Sequence, residues 1–171
     1  MQIMIISESC FGNTDIIARA VARGLGEAAP EAEVVLVSAA QAASALPPGL
    51  GLLVVGAPTH NTRMPSRSTR VSAVDRGAPS DQGPGLREWI DRSTPLAEVP
   101  TYTFDTATQG FAAGSAAKAA SKALRRRGWR RVERGESFRV TGTAGPLADG
   151  EEARAVQWGE RLAEALQTPG A

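Results

Sequence analysis

The chain has 171 residues, 42% apolar and 22% charged, with a formal net charge of +1, one cysteine and one histidine. That length and composition fit one globular domain spanning 1–171 with a real core, and the near-neutral charge argues against nucleic acid or an anionic membrane as partner. No apolar run reaches the ~18 residues needed to cross a bilayer, no signal-peptide pattern opens the chain, and a lone cysteine allows no internal disulfide and no cysteine-based zinc site. Cytoplasmic residence is the expectation.

Ile3-Met4-Ile5-Ile6 is a short continuous apolar run and predicts a buried parallel strand. Ile16, Ile17, Ala20, Val21, Gly24 and Leu25 follow at helical spacing. Between them lies Ser7-Glu8-Ser9-Cys10-Phe11-Gly12-Asn13-Thr14. A loop joining a strand to a helix delivers unpaired N–H groups at the positive end of the helix dipole. Gly12 permits a tight turn or close approach, and Ser9 and Thr14 add hydroxyls, so the stretch predicts a phosphate seat. No Walker-type GxxxxGK pattern and no GxGxxG follows the first strand, which sets aside the commoner nucleotide loops.

Glu33-Val34-Val35-Leu36-Val37 predicts a second strand, and residues 38–49 a short helix or loop. Gly51-Leu52-Leu53-Val54-Val55-Gly56 predicts a central third strand, emptying into Ala57-Pro58-Thr59-His60-Asn61-Thr62-Arg63-Met64-Pro65. Residues 66–83 are polar and show no convincing period. Leu86, Trp89 and Ile90 mark a short helix. Val99 to Phe104 predicts the fourth strand, followed by the loop Asp105-Thr106-Ala107-Thr108-Gln109-Gly110. An alanine-rich helix opens at Gly114-Ser115 and stops at Arg125-Arg126-Arg127-Gly128. Trp129 to Val140 predicts a fifth strand interrupted near Gly135, and 151–166 a last helix before a frayed tail at 167–171. Trp89, Trp129 and Trp158 fall on core-facing positions.

This alternation predicts a three-layer α/β/α domain with a five-stranded parallel sheet in the order 2-1-3-4-5. Ligands of such sheets bind beyond the carboxyl ends of the strands, where strand order reverses. Loops 7–14, 57–66 and 105–111 converge there.

Ser9-Cys10-Phe11-Gly12-Asn13-Thr14 together with Gly56-Ala57-Pro58-Thr59-His60 give the chain its resemblance to the flavodoxin-like family, over essentially its full length. The resemblance implies noncovalent FMN. Its phosphate would rest on Ser7, Ser9, Cys10, Phe11, Gly12, Asn13 and Thr14. Its ring would lie between Pro58, Thr59, His60 and Asn61 on one loop and Asp105, Thr106, Gln109 and Gly110 on the other. The implied activity is electron transfer to a redox partner protein or a small quinone-like acceptor, by a monomer or homodimer. A flavin-dependent quinone or NAD(P)H reductase is the alternative, as is a module of this fold that has lost FMN, because loops 57–66 and 105–110 hold no Trp, Tyr or Phe.

His60, with an ordinary pKa near ~6.5, is a candidate to stack on the ring or carry a proton. Arg63, Arg67 and Arg70 would favour the anionic reduced flavin. Cys10 reads first as a buried filler and second as a thiol activated by the helix end. Asp105 reads as an Asx-turn residue.

Overall fold

The computed structural model describes residues 1–79, 83–108 and 114–167. Five strands, β1 (Gln2–Ser7), β2 (Glu33–Ser38), β3 (Leu50–Pro58), β4 (Thr101–Thr108) and β5 (Val132–Val140), form one sheet in the order β2-β1-β3-β4-β5, with every pairing parallel. Five helices connect them: α1 (Asn13–Ala28), α2 (Arg67–Asp75), α3 (Leu86–Arg92), α4 (Ala116–Arg127) and α5 (Glu151–Gln167).

The apolar run of β1 is continuous because both faces of the strand are covered. Successive side chains point to opposite faces, so Ile3 and Ile5 go to one layer and Met4 and Ile6 to the other. Ile3 and Ile5 join Leu52, Val54, Phe104 and Phe138 under α1 and α5, which contribute Ile17, Val21, Leu25, Trp158 and Leu162. Met4 and Ile6 join Leu53 and Val55 under α3 and α4, with Leu86, Trp89, Leu124 and Trp129. Trp89, Trp129 and Trp158 are all core residues, as their spacing predicts.

Helices α1 and α5 pack backbone to backbone. A Cβ on Gly24 would overlap the Val156 carbonyl, and one on Gly159 would overlap the Val21 carbonyl. Only hydrogen fits at that crossing.

Strand β3 runs on through Ala57 to Pro58, β5 begins only at Val132, and two larger differences from the sequence pattern concern β4 and α2. Strand β4 continues through Asp105 and Thr106 to Thr108, because these residues still pair in register with Ser137 and Phe138 of β5. Residues 67–75 form α2, a helix that the periodicity of 66–83 does not show. Its buried face consists of just Arg70 and Ala73, so it has no apolar stripe to detect. The marker it does carry is local. Ser66 accepts from Thr69 N, and the Thr69 hydroxyl accepts from Ser66 N, a reciprocal cap.

Candidate functional site at the carboxyl edge of the sheet

Strand order reverses between β1 and β3, and the loops following β1, β3 and β4 meet there. Loop 8–12 rises from β1 into α1. Gly12, the N-cap, sits at φ 90°, where an L side chain is strained, and it lets Ile16 N close onto Gly12 O at 3.0 Å. No side chain caps α1, so the N–H groups of Asn13, Thr14 and Asp15 have no partner in the helix.

The other helix starts nearby are sealed. At α4 the Thr59 hydroxyl accepts from Ala116 N at 2.9 Å, Asp105 Oδ2 from Ala117 N at 2.9 Å and Ser115 Oγ from Lys118 N at 3.0 Å. At α3 Glu8 Oε2 accepts from Leu86 N at 2.8 Å and Glu88 Oε2 from Gly85 N at 2.9 Å. Helix α2 has its reciprocal Ser66–Thr69 cap. Against that pattern α1 is open, and Ser9 Oγ beside it is buried without a hydrogen-bond partner. A buried hydroxyl left unpaired costs roughly 1–3 kcal/mol, so this donor and the α1 amides together suit a ligand that brings acceptor oxygens. These groups fit a phosphate.

The structure sorts the remaining site residues by task. Ser7 ends β1 and is buried; Cys10 and Phe11 are half-buried on the loop wall. Asn13 gives its amide Nδ2 to Ala144 O at 3.0 Å and so ties α1 to the loop after β5. Thr14 is buried with its hydroxyl 2.8 Å from that of Thr106, a rivet between α1 and β4. Asp105 is fully buried in β4, not on a loop and not in an Asx turn. Its carboxylate accepts from Thr59, Ala117 N and Ser137. Gln109 and Gly110 lie outside the described residues.

Pro58 ends β3, and His60-Asn61-Thr62-Arg63 is a tight turn closed by His60 N to Arg63 O (2.9 Å) and Arg63 N to His60 O (3.0 Å). Asn61 and Thr62 both have positive φ, at 47° and 66°. Asn tolerates that region, whereas a β-branched threonine there is strained, and such strain collects at ligand sites. A Cβ on Gly114 would collide with Thr62, so the glycine makes room for the turn.

Between these loops lies a cavity of about 300 Å³ lined by Ser9, Phe11, Thr59, His60, Thr106 and Thr108, together with Thr69 and Ser72 of α2 and Arg76 just after it. The α2 contribution is invisible in the sequence for the reason already given. Burial pushes the His60 imidazole below its ordinary pKa, and the Arg70 and Arg76 guanidiniums push it further. His60 is therefore a neutral donor–acceptor at neutral pH, not a group poised to titrate there. Burial and the Glu8 carboxylate raise the Cys10 thiol to about 11, outweighing the Arg70 guanidinium that lowers it.

Arg70 faces neither solvent nor the cleft as a free cation. It lies 3.2 Å from Glu8 Oε1 and 2.9 Å from Glu88 Oε1, and is itself buried. Glu8, which no motif in the loop singled out, thereby anchors the loop between β1 and α1 to α2 and α3.

The sheet order and the uncapped helix start at its reversal define an open α/β protein with free backbone donors at the switch point. More particularly, the fold is flavodoxin-like, and comparison with solved structures shows this across nearly the full chain. A flavodoxin from the domain Archaea superposes with a TM-score of 0.65 at 14% identity, covering 98% of this chain and 100% of its own. Oxidised flavodoxin 2 from Bacillus cereus gives 0.61 at 19% identity, covering 98% of each chain. A flavodoxin of Streptococcus pneumonia TIGR4 gives 0.62 at 15%, covering 96% of this chain and 99% of its own. No family model and no curated protein matches the sequence.

Proposed function

We propose that the protein binds FMN noncovalently and carries electrons between a donor and a redox partner. The observation that carries this reading is the contrast at the helix starts: α1 is open beside an unpartnered Ser9 hydroxyl, while α2, α3 and α4 are capped. The amides of Asn13, Thr14 and Asp15 and the Ser9 hydroxyl would hold the phosphate. Thr59, His60, Asn61 and Thr106 would border the ring, with Thr69 and Ser72 of α2 opposite. Bound FMN would supply one- and two-electron transfer, which no side chain here can do. The chain's own share is to seat the phosphate, to hold a neutral imidazole at the cleft, and to limit water through the buried Thr14–Thr106 contact.

Among the described residues the cleft has one Phe, Tyr or Trp side chain, Phe11, at the phosphate end. A cleft without aromatic cover leaves space for a flat second molecule. That favours, as a second reading, a reductase of small quinone-like acceptors over a carrier that docks another protein. No described helix is long and apolar enough to cross a membrane, and we place the protein in the cytoplasm.

Titration of the purified protein with FMN and with riboflavin tests the reading. FMN should bind with a visible-band shift and riboflavin at least about tenfold more weakly, because only FMN has the phosphate. Gly12→Asp should weaken FMN on the order of a hundredfold by setting a carboxylate against that phosphate, and leave riboflavin nearly unchanged. Equal affinity for the two flavins would overturn the proposed seat.

A further inference from the structure

Helix α2 lines the ring cavity with Thr69, Ser72 and Ala73, and Arg76 follows them at helical spacing onto the same face. With His60 neutral and Cys10 protonated, Arg76 carries the one charge among the described residues of that lining. Its backbone N–H closes α2 onto Ala73 O and Val74 O. Its side chain is exposed and has no ion pair or hydrogen bond among the described residues. The guanidinium nonetheless acts inside the cavity, since it is one of the two that lower the His60 pKa.

The other charges nearby are occupied or turned away. Two carboxylates share Arg70, Glu8 at 3.2 Å and Glu88 at 2.9 Å, so Arg70 adds no net positive charge. Asp105 is fully buried, with Thr59, Ala117 N and Ser137 on its carboxylate. Arg63, Arg67 and Asp75 are exposed and do not line the cavity.

Resting on the proposed flavin site, we infer that Arg76 raises the reduction potential of the bound flavin by attracting the negative charge its ring gains on reduction. Two electrons and one proton turn the neutral oxidised ring into a reduced ring bearing one negative charge. The oxidised ring offers Arg76 no charge to attract. A cation that favours one state over the other shifts the balance by that difference. Exposure of the guanidinium to solvent and salt keeps the effect moderate.

Midpoint potentials of the FMN-loaded protein test this role, read against a reference dye during dithionite reduction at several pH values. Arg76→Gln should bind reduced FMN about tenfold more weakly relative to oxidised FMN, a fall of ~30 mV for two electrons. Arg76→Lys should recover most of that fall. Arg67→Gln removes the same charge from the same helix outside the cavity lining, and should leave the potential nearly unchanged. The pH at which the reduced ring loses its proton should rise in Arg76→Gln alone. An unchanged potential in Arg76→Gln, or equal falls in Arg76→Gln and Arg67→Gln, would overturn the role of Arg76 and leave the flavin site standing. Failure of the wild-type protein to bind FMN would overturn the site and that role together.

Discussion

Thr59 donates its hydroxyl to Asp105 Oδ2 at 3.2 Å while accepting from the backbone of α4, so one pair of side chains fastens the loop after β3 to β4 and to the start of α4. Asp105 also receives Ala117 N and the Ser137 hydroxyl. Asp105→Ala would leave three buried donors unmet. The expected cost is about 3 kcal/mol or more, read as a lower urea midpoint at unchanged slope. Asp105→Asn, which keeps the shape but turns one acceptor into a donor, should cost less, about 1–2 kcal/mol.

Arg70 is the counter-charge of a carboxylate that burial works against. Burial raises the Glu8 pKa from 4.5, more than the Leu86 amide and Arg70 lower it. Folded protein therefore holds the Glu8 proton more readily than unfolded protein does. Its contribution to stability is complete below about 4.5 and fades as pH rises through the folded value. Arg70→Met would strand Glu8 as a buried charge at neutral pH, at a cost of about 3–5 kcal/mol. The loss should shrink toward acid pH, where Glu8 is protonated. Denaturation of both proteins at neutral pH and near 4.5 measures this; an equal loss at both would contradict it.

His60 runs the other way. Its folded pKa lies below 6.5, so its contribution is present above that value and is lost as pH falls through the folded one. An imidazole NMR titration should give a midpoint under 6.5. Arg76→Ala should move the midpoint up without reaching 6.5, because burial, the larger cause, remains.

Cys10 should be a slow thiol. With a pKa of about 11, roughly one molecule in ten thousand carries the thiolate at neutral pH. Alkylation by iodoacetamide should be far slower than that of a free thiol and should accelerate in Glu8→Gln, where the neighbouring charge is gone.

What the sequence discloses and what it hides follow one physical division. The β1 and β3 runs are legible because strands covered on both faces must be apolar throughout, and Gly12 and Thr59 are legible because turns and helix ends restrict residue type. Arg70 is opaque. A charged residue at a core position contradicts hydrophobic patterning, and its reason, Glu8, lies 62 positions away. Asp105 misleads in a related way: an aspartate after a strand suggests a turn, whereas Thr59, Ala117 and Ser137 keep it inside the sheet. Thr14 and Asn13 look like donors for a ligand, yet each side chain spends a hydrogen bond on another part of the fold.

The bare crossing of Gly24 and Gly159 bears on the order in which the molecule becomes competent. Helix α1, whose first turn carries the proposed phosphate seat, meets α5 at that crossing with no side chain between the two backbones. Until α5 has been synthesised and has docked, that flank stays wet, and α1 is held to the sheet at its first turn by the Thr14–Thr106 contact. During translation, the packing of the far end of α1 should therefore arrive late and abruptly, with the last helix, rather than grow strand by strand.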